Sequence, residues 1–183
     1  MIEIRTHGRG GQGAVIASKI LAMAFFSEDK YVQSFPVFGV ERRGAPVAAF
    51  TRVDTAPIRL RCNVYTPDHV VVLDATLMLT TNVAAGLKRG GTVLINSDFG
   101  PSEFARQLKG FRVATVDADA IARKYRLGSA TAPIVNTTIL GAFAAQTGLV
   151  KLESIGRAIA EEIRIKTEQN VQASAEAFRS LRA

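Results

Sequence analysis

The sequence predicts an α/β domain with a doubly wound, mostly parallel sheet and a helical C-terminal third, and three observations carry that prediction. Branched-aliphatic runs at 70–73 (Val-Val-Val-Leu), 92–95 (Thr-Val-Leu-Ile) and 111–116 have no polar alternation, as in strands covered on both faces. Stretches of helical pattern at 76–87 and 101–108 fall between them, the spacing of strand–helix–strand units. The N-terminus opens with a strand, a glycine turn and a helix in succession.

Taken in order, Ile2, Ile4 and the residues up to His7 form a first strand, stopped by the glycine cluster at 8–13. Residues 14–26 are apolar apart from Ser18 and Lys19, which at that length means a buried helix. A mixed apolar segment at 31–38, a polar turn at 39–44 and an alternating strand at 46–53 form a hairpin-like excursion. Beyond residue 117 the segments 118–125, 136–147, 152–165 and 167–181 are helical by pattern. No internal repeat or long linker divides the chain, so residues 1–183 are read as one domain.

Composition narrows the function classes. At 48% hydrophobic and 21% charged residues, the chain is neither disordered, collagen-like nor coiled coil. The net charge of +7 favours phosphate-bearing partners. It is spread along the chain with no basic stripe carrying aromatic platforms, so a nucleic-acid partner is not expected. The single cysteine, Cys62, excludes an internal disulfide and a cysteine-ligated zinc or iron–sulfur centre. His7 and His69 lie far apart, which argues against a histidine-built metal site, so any redox metal belongs on another chain. The N-terminus is too charged for a signal peptide, and no apolar stretch reaches the ~18–20 residues of a membrane span; a cytoplasmic location is expected.

A glycine-rich turn that feeds a helix lets an anion approach backbone N–H groups at the positive end of the helix dipole. Gly8, Gly10 and Gly13 fit the dinucleotide spacing, but that fingerprint also needs an acid at the end of the second strand. Glu28 and Asp29 precede that strand, so ordinary nicotinamide binding is disfavoured. Ala14 and Val15 stand where a nucleoside-triphosphate loop needs lysine and serine or threonine. Two readings remain open: an anion nest carrying Arg9, with Lys19 reaching over from the helix, or glycines that serve close helix–sheet packing.

The turn at 41–46 sets Arg42 and Arg43 side by side, a pair of planar forks suited to phosphate or carboxylate; the alternative is a solvated turn with one arginine paired to Glu41. Asp74, Asn96, Ser97, Asp117 and Asp119 fall at strand ends, where catalysis is conceivable and helix capping is favoured. Asn136 is a further cap candidate. His7 is expected to make a structural hydrogen bond, and Cys62 carries no activating signature.

Two blocks together go beyond generic pattern: His-Gly-Arg-Gly-Gly-Gln-Gly at 7–13 with its apolar helix, and Phe-Pro-Val-Phe-Gly-Val-Glu-Arg-Arg-Gly-Ala-Pro at 35–46. They strongly resemble the gamma subunit of pyruvate and related 2-oxoacid:ferredoxin oxidoreductases, and Asn-Thr-Thr-Ile-Leu-Gly-Ala at 136–142 is similar to a third, weaker block of that family. The resemblance implies a Rossmann-like three-layer domain. It also implies a complex that oxidatively decarboxylates a 2-oxoacid, passes electrons to ferredoxin and releases an acyl-coenzyme A. Thiamine diphosphate, magnesium and iron–sulfur clusters would then sit on alpha, beta and delta-type subunits, with the gamma chain capping the active site and inactive by itself.

By position, Gly8, Arg9, Gly10, Gly11, Gln12 and Gly13 become candidate coenzyme A contacts, together with Arg42, Arg43 and Gly44; no catalytic residue is assigned to this chain. Pyruvate ranks first among substrates, ahead of branched-chain oxoacids and 2-oxoglutarate. The competing reading is a free-standing nucleotide or dinucleotide binder.

Overall fold

Short strands and helices alternate along the chain because apolar runs of strand length are separated by glycine-, asparagine- and aspartate-rich turns. The computed structural model describes residues 1–37 and 43–183. Its strands are β1 (Ile2–Arg9), β2 (Tyr31–Pro36), β3 (Pro46–Asp54), β4 (His69–Val72), β5 (Thr92–Asn96) and β6 (Arg112–Val116). Its helices are α1 (Ala14–Phe26), α2 (Ala118–Lys124), α3 (Thr138–Thr147), α4 (Leu152–Glu162) and α5 (Thr167–Arg179).

The strands form one sheet in the order β2-β3-β1-β4-β5-β6. β1, β4, β5 and β6 are parallel neighbours, while β3 pairs antiparallel with both β1 and β2 and so runs against the rest. The predicted excursion is therefore real, and it adds two strands to the sheet. The fold is the expected three-layer α/β arrangement.

Strand periodicity places two apolar cores on opposite faces. Ile4, Val71, Leu73, Leu94 and Val116 face Leu21 and Phe25 of α1, Leu140 and Phe143 of α3, and Ile155 and Ile159 of α4. On the other face Val70, Val72, Val93 and Ile95 lie under Leu77, Met78, Val83, Leu87, Phe104 and Leu108. The helices expected at 76–87 and 101–108 are not formed there. Each is reduced to a 3-10 turn, Ala75–Leu79 and Pro101–Phe104, followed by turns. Thr80, Thr81 and Asn82 favour local backbone bonding over helix, and Gly86 adopts a left-handed φ of 72°. Pro101 starts a turn that only a few residues continue, and Gly110 ends the segment at φ 91°. Apolar side chains still point inward, so the layer is preserved without regular helices.

One face of β1 is polar throughout. Glu3 pairs with the fully buried Arg52 at 2.9 Å, and Arg5 donates to the carbonyls of Val83 at 2.9 Å and Ala85 at 2.5 Å. His7 is buried beside them, and Arg9 ends the row. β1 thus runs two residues further than expected and delivers Arg9 from a strand into the turn that follows.

Candidate functional site

In an open α/β sheet, the crevice lies where successive connections leave to opposite sides, outside the carboxyl ends of the strands. Here that point falls between β1, whose chain leaves through α1 toward β2, and β4 on its other side. The glycine turn after β1 and the Asp74 turn after β4 face each other across it.

The turn is built on backbone geometry that side chains rarely adopt. Gly11 has φ 95° and Gly13 φ 80°, and Gly13 caps α1 in the left-handed region. A Cβ on Gly13 would also run into the Asn136 side chain, so glycine is needed there for space as well as for angle. Much of the turn's donor capacity is spent internally. Arg9 N donates to Gln12 Oε1 at 2.7 Å, and Gln12 N donates to the Arg9 carbonyl at 2.9 Å.

The turn is also tied to the second cluster. Gly10 N donates to the Ala45 carbonyl at 2.8 Å, Gly44 N donates to the Gly10 carbonyl at 3.0 Å, and Arg9 Nη1 reaches the Gly44 carbonyl at 3.2 Å. Segments thirty-odd residues apart in sequence therefore form one surface, with Arg43 and Gly44 exposed on it. Arg42, like Phe38, Gly39, Val40 and Glu41, lies outside the described residues, so its expected pairing with Glu41 has no structural answer.

Beside this surface opens a cleft of about 610 Å³, lined among others by Gly11, Gln12, Asn96, Phe99, Arg123 and Ile134. Asp74, Asp98, Asp117 and Asp119 also line it; Asp74 is paired with Arg9, which leaves three carboxylates with the Arg123 guanidinium. The capping expectation holds for Asp74 and Asp117; Asn96 bonds the start of α2 rather than the element that follows it, Ser97 closes a local turn, and Asp119 accepts from Asn96 instead of capping. Asp74 Oδ1 accepts from Thr76 N at 2.9 Å, and Asp117 Oδ1 accepts from Ala120 N at 2.8 Å. Asn96 Oδ1 accepts from Ala118 N at 2.9 Å, and Ser97 Oγ accepts from Phe99 N at 3.0 Å. Asn136 does not cap α3 in this manner; its Oδ1 accepts only from the adjacent Thr137 N, and its side chain covers Gly13 instead.

Two expectations change. Lys19 does not reach over the glycine turn, because its ammonium pairs with Glu162 of α4 at 2.6 Å. Arg9 is not an unattached arm; its Nε donates to Asp74 Oδ2 at 2.9 Å and its Nη2 to Thr76 Oγ1 at 2.7 Å. Thr76 escaped the sequence reading because an isolated threonine after a capping aspartate carries no signal of its own.

His7 does not reach the cleft. Burial first, and the nearby Arg5 charge second, push its pKa down to about 4, so it is neutral at pH 7. Cys62 is exposed, with Arg52 Nη2 at 3.6 Å from its sulfur. Among the described residues, no group of three or more His, Cys, Asp or Glu side chains is disposed to hold a metal ion, and no helix is long and apolar enough to cross a membrane.

The three sequence blocks thus meet at one place: the glycine turn, the 43–45 turn bonded to it, and Asn136 packed over Gly13. The family model for pyruvate ferredoxin/flavodoxin oxidoreductase matches residues 3–180. The chain belongs to that family. Among its relatives, the "pyruvate/ketoisovalerate oxidoreductases common subunit gamma" of Thermococcus kodakarensis is 56% identical over 97% of this chain and 96% of its own. The crystal structure of the pyruvate oxidoreductase subunit PORC of Thermotoga maritima superposes with a TM-score of 0.83 at 37% identity, covering 99% of this chain and 97% of that one. A 2-oxoglutarate:ferredoxin oxidoreductase from Magnetococcus marinus, solved with 2-oxoglutarate, coenzyme A and succinyl-CoA bound, shares the fold. It does so with a TM-score of 0.72 at 20% identity over 97% of this chain and 30% of that one. Within the pyruvate ferredoxin/flavodoxin oxidoreductase family, then, this is a gamma-type subunit, and its motif blocks are the parts that the fold brings together.

Proposed function

We propose that this chain is the gamma subunit of a pyruvate-type 2-oxoacid:ferredoxin oxidoreductase, that it caps the active site formed with alpha, beta and delta-type subunits, and that it helps to bind coenzyme A. The observation behind the coenzyme A reading is the hydrogen-bonded union of the glycine turn with the basic turn at 43–45. Coenzyme A carries a diphosphate and a 3′-phosphate, and planar guanidinium forks suit both.

The charge distribution supports a rim position for the phosphates. The cleft interior, where Asp98, Asp117 and Asp119 stand against Arg123 and Asp74 is already paired with Arg9, repels them, whereas the outer surface carries Arg9 and Arg43. The phosphates therefore lie on the rim, and the uncharged parts of the carrier lie toward the cleft or the partner subunit. Phe99 and Ile134, at 59% and 49% exposure, are large apolar groups lining the same cleft, which suits a surface that another subunit covers.

The Thermococcus relative is named as common to pyruvate and ketoisovalerate enzymes, which supports assigning the choice of acid to other subunits. Thiamine diphosphate with magnesium, held by a partner, would supply decarboxylation, and partner iron–sulfur clusters the electron path to ferredoxin. The residues of this chain would bind and orient the carrier. Alone, the chain is expected to turn over no oxoacid.

The test is a coenzyme A titration of the co-expressed complex carrying Arg42→Ala plus Arg43→Ala. Loss of charge-assisted bonds of ~1.5–3 kcal/mol each predicts at least a tenfold rise in the KM for coenzyme A, with the KM for pyruvate unchanged. An unaltered coenzyme A affinity removes this turn from the site.

A further inference from the structure

We propose that Asp74 is a positioning residue that fixes Arg9 and Gln12 for coenzyme A binding; the proposal rests on the coenzyme A reading above. Its two carboxylate oxygens do different work. Oδ1 accepts from Thr76 N at 2.9 Å and from Thr76 Oγ1 at 2.6 Å, which is the capping role expected of an aspartate at a strand end. Oδ2 turns the other way and accepts from Arg9 Nε at 2.9 Å and Gln12 Nε2 at 3.1 Å, across the switch-point crevice. Serine or asparagine could cap the turn equally well; neither could also offer a charged acceptor to a guanidinium.

The consequence is a guanidinium held on three sides. Asp74 takes Nε, the Thr76 hydroxyl, itself oriented by Asp74, takes one Nη2 proton, and the Gly44 carbonyl takes one Nη1 proton. Described residues engage three of its five N–H groups, which fixes the plane in which the guanidinium meets a ligand. A donor fork already ordered loses less side-chain entropy when an anion arrives. Gln12 is fixed in the same way, its Nε2 on Asp74 and its Oε1 on Arg9 N. Burial would raise the Asp74 pKa, but hydrogen bonds from Thr76, Gln12 and Arg9 outweigh it and hold the carboxyl below its ordinary value, so the clamp is ionised at neutral pH.

The experiment compares the assembled complex carrying Asp74→Ser, Arg9→Ala, or both. The Kd for coenzyme A is measured by calorimetry on the resting complex and the KM in turnover. Asp74→Ser keeps a capping oxygen and removes the clamp; it is expected to weaken coenzyme A about tenfold in both measurements, with kcat and the KM for pyruvate within about twofold. The double variant should lose less than the product of the two single losses, since what Asp74 contributes through Arg9 is already gone and only its hold on Gln12 is left to remove. Asp74→Asn, closer in shape, carries the same expectation and serves if the serine variant does not assemble. If Arg9→Ala leaves coenzyme A binding unchanged, the coenzyme A reading of this turn fails. If Arg9→Ala weakens binding while Asp74→Ser does not, or if the two losses multiply, the positioning role is overturned and the reading stands.

Discussion

Replacing Glu3 with glutamine isolates a buried charge, and the structure sets the cost. The Arg52 side chain is 1% exposed, and its Nε lies 2.9 Å from Glu3 Oε1, the carboxylate that neutralises it. Among the described residues its other partners include no carboxylate: the Asn63 carbonyl at 3.2 Å, Gln33 Oε1 at 3.4 Å, the Cys62 sulfur at 3.6 Å, and the Phe35 ring with its centroid 5.2 Å away. Breaking a buried pair by removing one partner costs ~3–5 kcal/mol, because the remaining ion stays desolvated. The surviving carbonyl and ring contacts hold Glu3→Gln to about 3 kcal/mol, the lower end of that range. For a chain of this length that is a fall in Tm of roughly 6–12 °C. Urea unfolding of the full chain, followed by circular dichroism, reads the difference directly. A second variant, Glu3→Gln with Arg52→Met, should recover much of the loss, since an apolar group of similar volume can replace a buried ion pair. A cost below about 1 kcal/mol for Glu3→Gln would refute the argument that this pair is desolvated and mutually dependent.

The remaining expectations concern protonation and packing. The folded-state pKa of His7, about 4, lies below its ordinary 6.5, so between those values the unfolded chain binds the proton more readily. Stability is therefore expected to fall by up to about 3 kcal/mol as pH drops from 6.5 to 4, and His7→Gln should flatten most of that slope in urea midpoints measured across the range. His69, also shifted downward chiefly by burial, leaves a residual slope of the same sign. Gly141 sits where α3 meets α5, and a Cβ there would collide with the Ser174 backbone carbonyl. Gly141→Ala is expected to destabilise by ~1–3 kcal/mol despite the better helix propensity of alanine; a stabilised variant would show that the two helices separate freely.

What the sequence revealed divides along the range of the interactions involved. Strands such as β4 and β5 were legible because a parallel strand buried on both faces leaves an unbroken aliphatic run. The layer over the second face was misread because residues 76–87 place apolar side chains at intervals that a helix and a chain of turns can both satisfy; Thr80, Thr81 and the left-handed Gly86 decide for turns. The glycine turn was visible as a candidate site, but not its attachment to Gly44 and Ala45, which depends on the antiparallel register that sets Arg9 opposite Pro46. Lys19 looked available because its partner, Glu162, lies 143 residues away in sequence. Asp74 was legible as a cap and not as a clamp, since capping is a local relation and the Arg9 contact spans 65 residues.

Strand-end capping contributes to an acidic cleft in a chain of net charge +7. Strand ends in this topology need short polar caps, and aspartate supplies two of those that line the cleft, Asp74 after β4 and Asp117 after β6. That local requirement fixes negative charge at the floor of the crevice whatever the rest of the surface carries. Arginine compensates where the strands themselves allow it, at Arg9 on the last position of β1 and at Arg43 on the turn bonded to it. A phosphate-bearing carrier meeting this edge is therefore drawn to the β1 side and repelled from the β5–β6 side. On the coenzyme A reading proposed above, that gradient would orient the carrier before any closer contact forms.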